Sequence, residues 1–490
     1  MGNKDKVQIF IRLGLFVTIV LFFISPDSYT HDIFNRCDSA WFFMCGKAWM
    51  NGMIPYVDFA DSKGPLLWLI YGIGYLLSPQ NYIGVFWISC IWYWLIYYYT
   101  YKTSYIFLKD KQLSILCTLL MTLAYFNPWF HYETRAEDFC QLFIVLSIYR
   151  TCHLLYTKQE SNKDIYITFF ILGISFGSLL LIKYNIAAMQ SICILYSIYY
   201  IFKSKIRIVK PIGSLIVGIA TITLPFIFYF IIIGSLNDFI NEYFINTYLT
   251  LSSPEPIKKH IISWTYVFQQ PDRLSLLIVI IIGSLIMSKK NVRYNWFPLI
   301  GSIFFINLSI TSALPYYMNS NVFWCIFPVC LFIPYICKLY KTKHVFISII
   351  GFTIIVLTSE LYKRPNLFYH DLPMKKDYYA ISSLMKSTPN PTIINIGYET
   401  GIGLPAHTLP GCKYWSTQNG ATPKMIKEQK KSIINKRTKF LYIQNYSITK
   451  DIFNLNIDTL RSIGYEVIYE MIDNNKKEQF LLINRSSNNI

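Results

Sequence analysis

The chain has 490 residues, of which 53% are hydrophobic and 15% are charged, and its formal net charge is +18. This apolar content excludes an ordinary soluble globular protein and indicates a membrane protein with several spans. Because the basic residues are spread over many short loops, we attribute the positive charge to membrane topology and to anionic lipid headgroups, and we expect no nucleic-acid partner.

Long apolar runs predict the membrane-spanning helices. A span needs roughly 20 residues, and the first run is followed by no small-residue cleavage site, so we interpret it as an uncleaved span. The candidate spans are 9–26, 82–108, 112–129, 138–157, 165–182, 186–202, 209–234, 274–288, 295–313, 321–339 and 344–360. A further run, Leu66 to Leu77, is short for a span and suits an interfacial or re-entrant helix.

Lysine and arginine in the loops decide the topology. If 66–77 does not span, every strongly basic loop falls on the side of the N-terminus, as the positive-inside rule requires. We therefore expect about eleven spans, with a cytoplasmic N-terminus. The loop after the first span, residues 130–137, residues 235–273 and the C-terminal segment are then extracytoplasmic.

The composition changes near Lys363, where long apolar runs stop. Short β-like runs and helical runs alternate from there on, which predicts a small α/β domain. The predicted strands are 392–396, 440–443, 465–469 and 480–483, and the predicted helices are 379–386, 425–434 and 457–462. The predicted architecture is mostly α: a polytopic helical bundle, 1–362, with extracytoplasmic juxtamembrane helices, followed by the α/β domain, 363–490.

The stretch from Asp38 to Pro65 is the most polar part of the first half of the chain. Carboxylates are costly in hydrocarbon, so this stretch should lie at a water-accessible face. Asp38 begins an apolar-polar run that suits a juxtamembrane helix. An ionised Asp38 can act as a general base, and it suits a helix N-cap equally well.

Asp58, Asp61 and Lys63 lie close together before Gly64 and Pro65. A local network of salt bridges explains these charges. The functional alternative is that Lys63 binds a phosphate while Gly64 and Pro65 turn the backbone into the membrane interface.

A second outer loop also carries several ionisable groups, from His131 to Asp138. Glu137 or Asp138 can serve as a second acid, and Arg135 can bind a lipid-linked phosphate. The alternative is that the two acids cap the following helix. Lys183, at the end of a glycine-containing span, suits an anionic headgroup or simply reaches the interface.

Residues 236–248 alternate aromatic and polar side chains at helical spacing, which predicts an interfacial amphipathic helix. Lys258, Lys259 and His260 follow nearby and can also meet a phosphate. The eleven cysteines show no zinc-type spacing, so we predict no metal site. Cys37 and Cys45 could pair, although buried free thiols fit their surroundings better.

Taken together, these features resemble the GT-C glycosyltransferase superfamily, in particular the branch with the protein O-mannosyltransferases and the lipid A aminoarabinose transferase. The shared order is an acid after the first span, an apolar juxtamembrane helix, a turn, a short Lys-Gly-Pro element, an outer loop with an arginine and an acid, and a glycine-rich span ending in lysine. In this chain the positions are Asp38, Gly52, Pro55, Tyr56, Asp61 to Pro65, Arg135, Glu137 and Lys183.

The resemblance implies a glycosyltransferase of a bacterial inner (plasma) membrane that moves a sugar, with inversion, from a polyprenyl-phosphate donor to an envelope glycan, lipid or protein. It assigns Asp38 as the base, and its donor-phosphate positions match Lys63, Arg135 and Lys183. We expect Glu137 and Asp138 to be further catalytic candidates. The loop around Lys63 should be supported by the three side chains Tyr56, Asp58 and Asp61.

The chain departs from the commonest family pattern in two places. Ser39 follows Asp38 where an acidic pair is common, and Gly64 stands where a second proline is common. Some family members use a divalent metal, but we predict no cofactor here. The alternative functions are a transporter or flippase of lipid-linked sugars, and a polymerase or ligase of surface polysaccharide. The sequence contains no internal repeat of the kind that transporters show.

Overall fold

The structure, a computed structural model, describes residues 3–25, 27–28, 37–125, 135–157, 161–251, 256–290, 296–310, 321–362, 373–389, 391–397, 400–404, 406–417, 422–472 and 478–485. Helices make up most of this part of the chain. The α-helices in chain order are α1 (Asn3–Ile24), α2 (Cys37–Met50), α3 (Pro65–Leu77), α4 (Ile83–Leu108), α5 (Lys111–Tyr125), α6 (Ala136–Tyr156), α7 (Asn162–Ile182), α8 (Tyr184–Lys203), α9 (Val209–Ile233), α10 (Leu236–Phe239), α11 (Thr247–Leu251), α12 (Pro256–Phe268), α13 (Pro271–Lys290), α14 (Phe297–Ser309), α15 (Ile326–Tyr340), α16 (Thr342–Tyr362), α17 (Pro373–Lys386), α18 (Pro423–Ile434), α19 (Tyr446–Phe453) and α20 (Ile457–Ser462).

Each predicted span overlaps one of these helices, which confirms the mostly helical architecture. Among the described residues, six helices are long and apolar enough to cross a membrane: Lys4–Ile24, Ala136–Tyr156, Asn162–Ile182, Tyr184–Lys203, Val209–Ile233 and Asn321–Tyr340. Shorter apolar helices are Pro65–Leu77, Lys111–Met121, Leu274–Lys289, Phe297–Ser309 and Thr342–Thr358. The count of about eleven spans therefore stays a prediction.

The described residues divide into two compact units. The first unit lies within Met1–Ile24, Ser89–Phe228 and Ser253–Lys363, and the second lies within Ser25–Ile88, Tyr229–Ser252 and Arg364–Ile490. The second unit thus contains α2, α3, the end of α9, the helices α10 and α11, and the C-terminal residues. The predicted domain boundary at residue 363 stays a prediction.

Small residues allow close helix packing in the first unit. A Cβ atom added to Gly173 of α7 would lie 2.2 Å from the carbonyl oxygen of Leu215 of α9. A Cβ atom added to Gly218 of α9 would lie 2.2 Å from the carbonyl oxygen of Phe170. Gly173 and Gly218 therefore let the backbones of α7 and α9 approach closely, which is a common use of small residues in membrane helices.

A five-stranded sheet forms the centre of the C-terminal part of the second unit. Its strands are β1 (Thr392–Ile396), β2 (Leu409–Pro410), β3 (Phe440–Ile443), β4 (Tyr465–Ile472) and β5 (Glu478–Asn484), in the order β2-β1-β3-β5-β4. β1 is parallel to β2 and β3, whereas β5 is antiparallel to β3 and β4. One face buries an apolar core of Ile394, Ile396, Leu441, Ile443 and Leu482 against Ile433, Phe453 and Leu460. The four predicted strands and three predicted helices of this region are confirmed.

The pairing of β2 with β1 is interrupted by a short loop. The Gly411 amide donates to the Ile393 carbonyl over 2.9 Å, and pairing resumes where the Asn395 amide donates to the Trp415 carbonyl over 2.6 Å. Residues 412–414 between these bonds leave the strand line, and we call them the 412–414 loop. This loop carries Lys413 and Tyr414 away from the sheet.

Candidate active site

Asp38 lies in the first turn of α2, which begins at Cys37. A carboxylate in the first turn favourably faces the positive end of the helix dipole, so this position suits both of the predicted roles for Asp38. The positions just before the helix lie outside the described residues. Cys45, on the same helix, is a buried free thiol, as its surroundings predicted.

The loop of residues 54–63, here the 54–63 loop, has a tightly specified backbone. Asp58 accepts a hydrogen bond from the Ile54 amide at 2.6 Å, and the Tyr56 amide donates to the Phe59 carbonyl at 2.7 Å. Tyr56 has a φ of 67°, a left-handed conformation that bulky side chains rarely adopt. Such a conformation costs roughly 1–3 kcal/mol, and strained residues of this kind cluster at functional sites.

The Tyr56 side chain is buried among aromatic rings and fastens the end of the loop. Its ring centroid lies 4.6 Å from that of Trp68, 5.3 Å from Phe239 and 6.3 Å from Tyr243. Its hydroxyl donates to the Lys63 carbonyl over 2.9 Å. Burial raises the pKa of Tyr56 well above its usual value, so the hydroxyl remains a donor at physiological pH.

Lys63 lies where this loop meets the N-terminus of α3. Its Nζ donates to Ser62 Oγ over 3.0 Å and lies 5.7 Å from the ring centroid of Phe42. Asp61 accepts from the Ser62 amide at 2.5 Å. Gly64 is the N-cap of α3, so a lysine amine and the positive end of a helix dipole occur together. That combination favours an anion.

Glu137 and Lys183 form a buried ion pair in the first unit. Lys183 Nζ donates to Glu137 Oε1, and the two residues are 8% and 3% exposed. Lys183 lies between α7 and α8, and Glu137 lies in the first turn of α6. The pair satisfies two charges that would otherwise be costly away from water. Lys183 was predicted to bind a phosphate and Glu137 to be a catalytic acid; in the structure the two side chains are ion-paired with each other.

Asp138 performs the capping role that the sequence left open. Its Oδ2 accepts from the Arg135 amide at 2.9 Å, while its Oδ1 accepts from the Tyr93 hydroxyl and from Gln141 Nε2, each at 3.2 Å. These three bonds explain a buried carboxylate at the start of α6. Arg135 is half-buried at the same helix start, and His131 lies outside the described residues.

The structure therefore groups the predicted residues into two sets. Tyr56, Asp58, Asp61 and Lys63 share the 54–63 loop of the second unit. The set at the start of α6, in the first unit, comprises Arg135, Glu137, Asp138 and Lys183. Among the described residues, no group of three His, Cys, Asp or Glu side chains is arranged to hold a metal ion.

Sequence reasoning missed a polar cluster around Glu242. The amphipathic helix predicted at 236–248 consists of α10, a π-helix at Ile240–Asn246, and α11. Glu242 is 7% exposed; Lys413 Nζ lies 2.9 Å from its Oε1, and the Tyr414 hydroxyl lies 3.0 Å from Oε2. Burial raises the pKa of Glu242, but the hydrogen bond from Lys413 and further bonds outweigh it and hold that pKa below its usual value. Only the position of Glu242 among aromatic residues could have signalled the cluster.

Comparisons with known proteins identify the fold. No protein-family model matches the chain, and no curated protein sequence matches it significantly. Two solved structures match 99% of this chain and 99% of their own chains. They are ArnT from Cupriavidus metallidurans bound to undecaprenyl phosphate, with a TM-score of 0.62 at 10% identity, and ArnT in the apo state, with a TM-score of 0.63 at 11% identity. The chain therefore has the fold of ArnT, in agreement with the resemblance to the GT-C branch.

Proposed function

We propose that this protein is an integral-membrane glycosyltransferase that moves a sugar from a polyprenyl-phosphate donor to an envelope glycan, lipid or protein. The likeness to ArnT bound to undecaprenyl phosphate, over nearly the whole of both chains, is the observation that carries this proposal. We further propose that the reaction inverts the anomeric carbon on the outer face of a bacterial inner membrane. The N-terminus is then cytoplasmic, and the α/β domain, 363–490, is extracytoplasmic.

Lys63 is the proposed donor-phosphate ligand of the 54–63 loop. Its backbone is fixed by the Tyr56 hydroxyl, and the N-cap of α3, Gly64, is the next residue. Negative charge grows on the phosphate as the sugar leaves, and a fixed ammonium beside a helix N-terminus stabilises that charge. Because the phosphate is a good leaving group once its charge is stabilised, we propose that the reaction needs no metal ion.

Asp38 is the proposed general base. An ionised carboxylate accepts the proton of the acceptor hydroxyl or amine as that group attacks the anomeric carbon. Attack from the face opposite the phosphate forms the new glycosidic bond as the bond to phosphate breaks, which inverts the centre. Asp58 and Asp61 support the 54–63 loop, to which they belong, through the hydrogen bonds they accept from backbone amides.

Arg135 and Lys183 are also proposed phosphate ligands, with Glu137 and Asp138 as further acids. The ion pair between Glu137 and Lys183 complicates a test of either residue. Removing one member of the Glu137–Lys183 pair leaves a buried, unpaired charge, which typically costs roughly 3–5 kcal/mol. Loss of activity in such a variant would therefore mix catalysis with stability.

Mass spectrometry of lipid-linked sugars and envelope glycans tests the proposed function. Deletion of the gene should remove one sugar from an envelope molecule and cause a sugar-linked polyprenyl phosphate to accumulate. Wild-type protein should reverse both changes, whereas Asp38→Asn, at equal membrane abundance, should reverse neither. Full reversal by Asp38→Asn would refute the mechanism, and translocation of the donor without any sugar transfer would favour a flippase.

A further inference from the structure

The 54–63 loop is held by residues from much later in the chain. The Ala60 amide donates to the Lys413 carbonyl over 2.9 Å. Lys413 belongs to the 412–414 loop of the C-terminal sheet. A backbone hydrogen bond therefore links the loop that ends at Lys63 directly to the C-terminal part of the second unit.

The side chain of Lys413 makes a second link through Glu242. Lys413 Nζ lies 2.9 Å from Glu242 Oε1 and 3.7 Å from Asp238 Oδ1. The Tyr414 hydroxyl lies within hydrogen-bonding distance of both Glu242 oxygens, at 3.1 and 3.0 Å. Because Glu242 is nearly buried, this charge-assisted set fixes the π-helix more firmly than an exposed pair would.

The π-helix and the end of α10 in turn pack on Tyr56, whose hydroxyl holds the Lys63 backbone. Phe239 and Tyr243 lie one to three positions from Glu242, and both rings contact Tyr56. The Phe239 ring also stacks on Phe230 at a centroid distance of 4.5 Å. Since the Tyr56 hydroxyl donates to the Lys63 carbonyl, Glu242 and Lys63 are joined by one continuous set of contacts.

The C-terminal sheet holds Lys413 and Tyr414 in place. The strand interruption that forms the 412–414 loop is closed on both sides by backbone bonds to β1. The next residue, Trp415, is fully buried, and its ring centroid lies 4.8 Å from that of Trp41 of α2. The loop is thus pinned between a sheet and a helix, which makes it a rigid support.

We propose that Lys413, with Glu242 and Tyr414, is a positioning set through which the C-terminal domain fixes the backbone of the 54–63 loop, and with it Lys63. The proposal rests on the proposed function, in which Lys63 binds the donor phosphate. None of the three residues is a catalytic residue, because each acts through Ala60 or Tyr56. The C-terminal domain then helps to position the donor-binding lysine.

Hydrogen–deuterium exchange and lipid binding, measured together on the full-length protein in nanodiscs, test this inference. The variants are Lys413→Met, Lys413→Arg and Tyr414→Phe, and the control is Lys431→Met, which removes an exposed lysine on α18. The probe for binding is undecaprenyl phosphate. Peptides from β3 report whether the sheet itself remains folded.

Lys413→Met should speed exchange of peptides covering residues 54–63 while β3 stays protected, and it should weaken undecaprenyl phosphate binding roughly tenfold. Tyr414→Phe should give a smaller change in the same direction, because it keeps the ion pair. Lys413→Arg should restore most of both properties, and Lys431→Met should match the wild type.

Unchanged exchange of residues 54–63 in both Lys413→Met and Tyr414→Phe would overturn the positioning role. If Lys413→Met exposes β3 as well, Tyr414→Phe decides the question, because it removes only one hydroxyl. Failure of the wild-type protein to bind undecaprenyl phosphate would count against the proposed function, while the exchange data would still decide whether Lys413 positions the loop.

Discussion

Burial changes the chemistry of Lys47. It is 2% exposed on α2, and its Nζ donates to the Thr408 carbonyl over 2.9 Å. Burial lowers the pKa of Lys47 from 10.5 to about 7. The unfolded chain therefore binds more protons than the folded chain between pH 7 and 10.5, so stability rises with pH across that window.

Lys47→Met should stabilise the protein at pH 7 and flatten this pH dependence, because it keeps the apolar stem without the amine. The gain should be largest at or below pH 7 and shrink toward pH 9. Thermal unfolding between pH 7 and 9 measures the gain in stability. His407, a neighbour of Lys47, does not titrate in this range, because burial and the charge of Lys47 lower its pKa below the usual value. A wild-type melting temperature that falls as pH rises over this range would contradict the burial argument.

The hydrogen bond from the Tyr56 hydroxyl to Lys63 can be tested by removing the hydroxyl alone. Tyr56→Phe keeps the aromatic packing but removes the hydrogen bond to the Lys63 carbonyl. One hydrogen bond contributes roughly 0.5–1.5 kcal/mol, so undecaprenyl phosphate binding should weaken about threefold to tenfold. Tyr248→Phe, at an exposed tyrosine, is the matched control. Equal affinity in Tyr56→Phe and the wild type would show that this bond does not orient Lys63.

Individual residues could be predicted where their role is local. The turn around Tyr56 and the capping role offered for Asp138 depend on neighbours within a few positions. Glu242 and Lys413 could not be paired from the sequence, because their contact depends on a strand interruption and a π-helix. The partner of Lys183 was missed because Glu137 lies on a different helix, 46 positions away in the sequence.

Among the secondary-structure elements, the helices were located by hydropathy. An apolar segment that crosses a membrane must make its backbone hydrogen bonds within itself, and a helix does so. The longer strands were visible as β-branched and aromatic runs. β2 was missed because only two residues form it. The π-helix at Ile240–Asn246 was missed because its side-chain spacing differs too little from that of an α-helix.

The packing of α2 on α3 depends on Gly46, and a substitution there tests it. A Cβ atom on Gly46 would lie 2.4 Å from the Gly72 amide nitrogen, so Gly46→Ala must push two backbones apart. We expect a loss of roughly 1–3 kcal/mol in stability. Gly213→Ala on α9, where an added Cβ has no neighbour within 4 Å, should be neutral or stabilising. Thermal unfolding of both variants measures the difference, and equal melting temperatures would contradict the close approach.

For the whole molecule, composition and loop charge led to a topology that can be measured. Alkaline phosphatase fused after Lys205 should be inactive because that loop is predicted to be cytoplasmic, whereas a fusion at the C-terminus should be active. An active fusion after Lys205 would reverse the predicted orientation. The fold itself followed from the order of motifs, but the organisation into two units did not, because it joins segments that are distant in sequence.

Binding of undecaprenyl phosphate to the purified wild-type protein, Lys63→Met and Asp38→Asn tests directly whether Lys63 holds a polyprenyl-phosphate donor. We expect the wild type to bind, and Asp38→Asn to bind as the wild type does. Lys63→Met should bind roughly tenfold to a hundredfold more weakly, because it loses a charge-assisted bond. Absence of binding by the wild type, or equal binding by Lys63→Met, would contradict the donor-site role of Lys63.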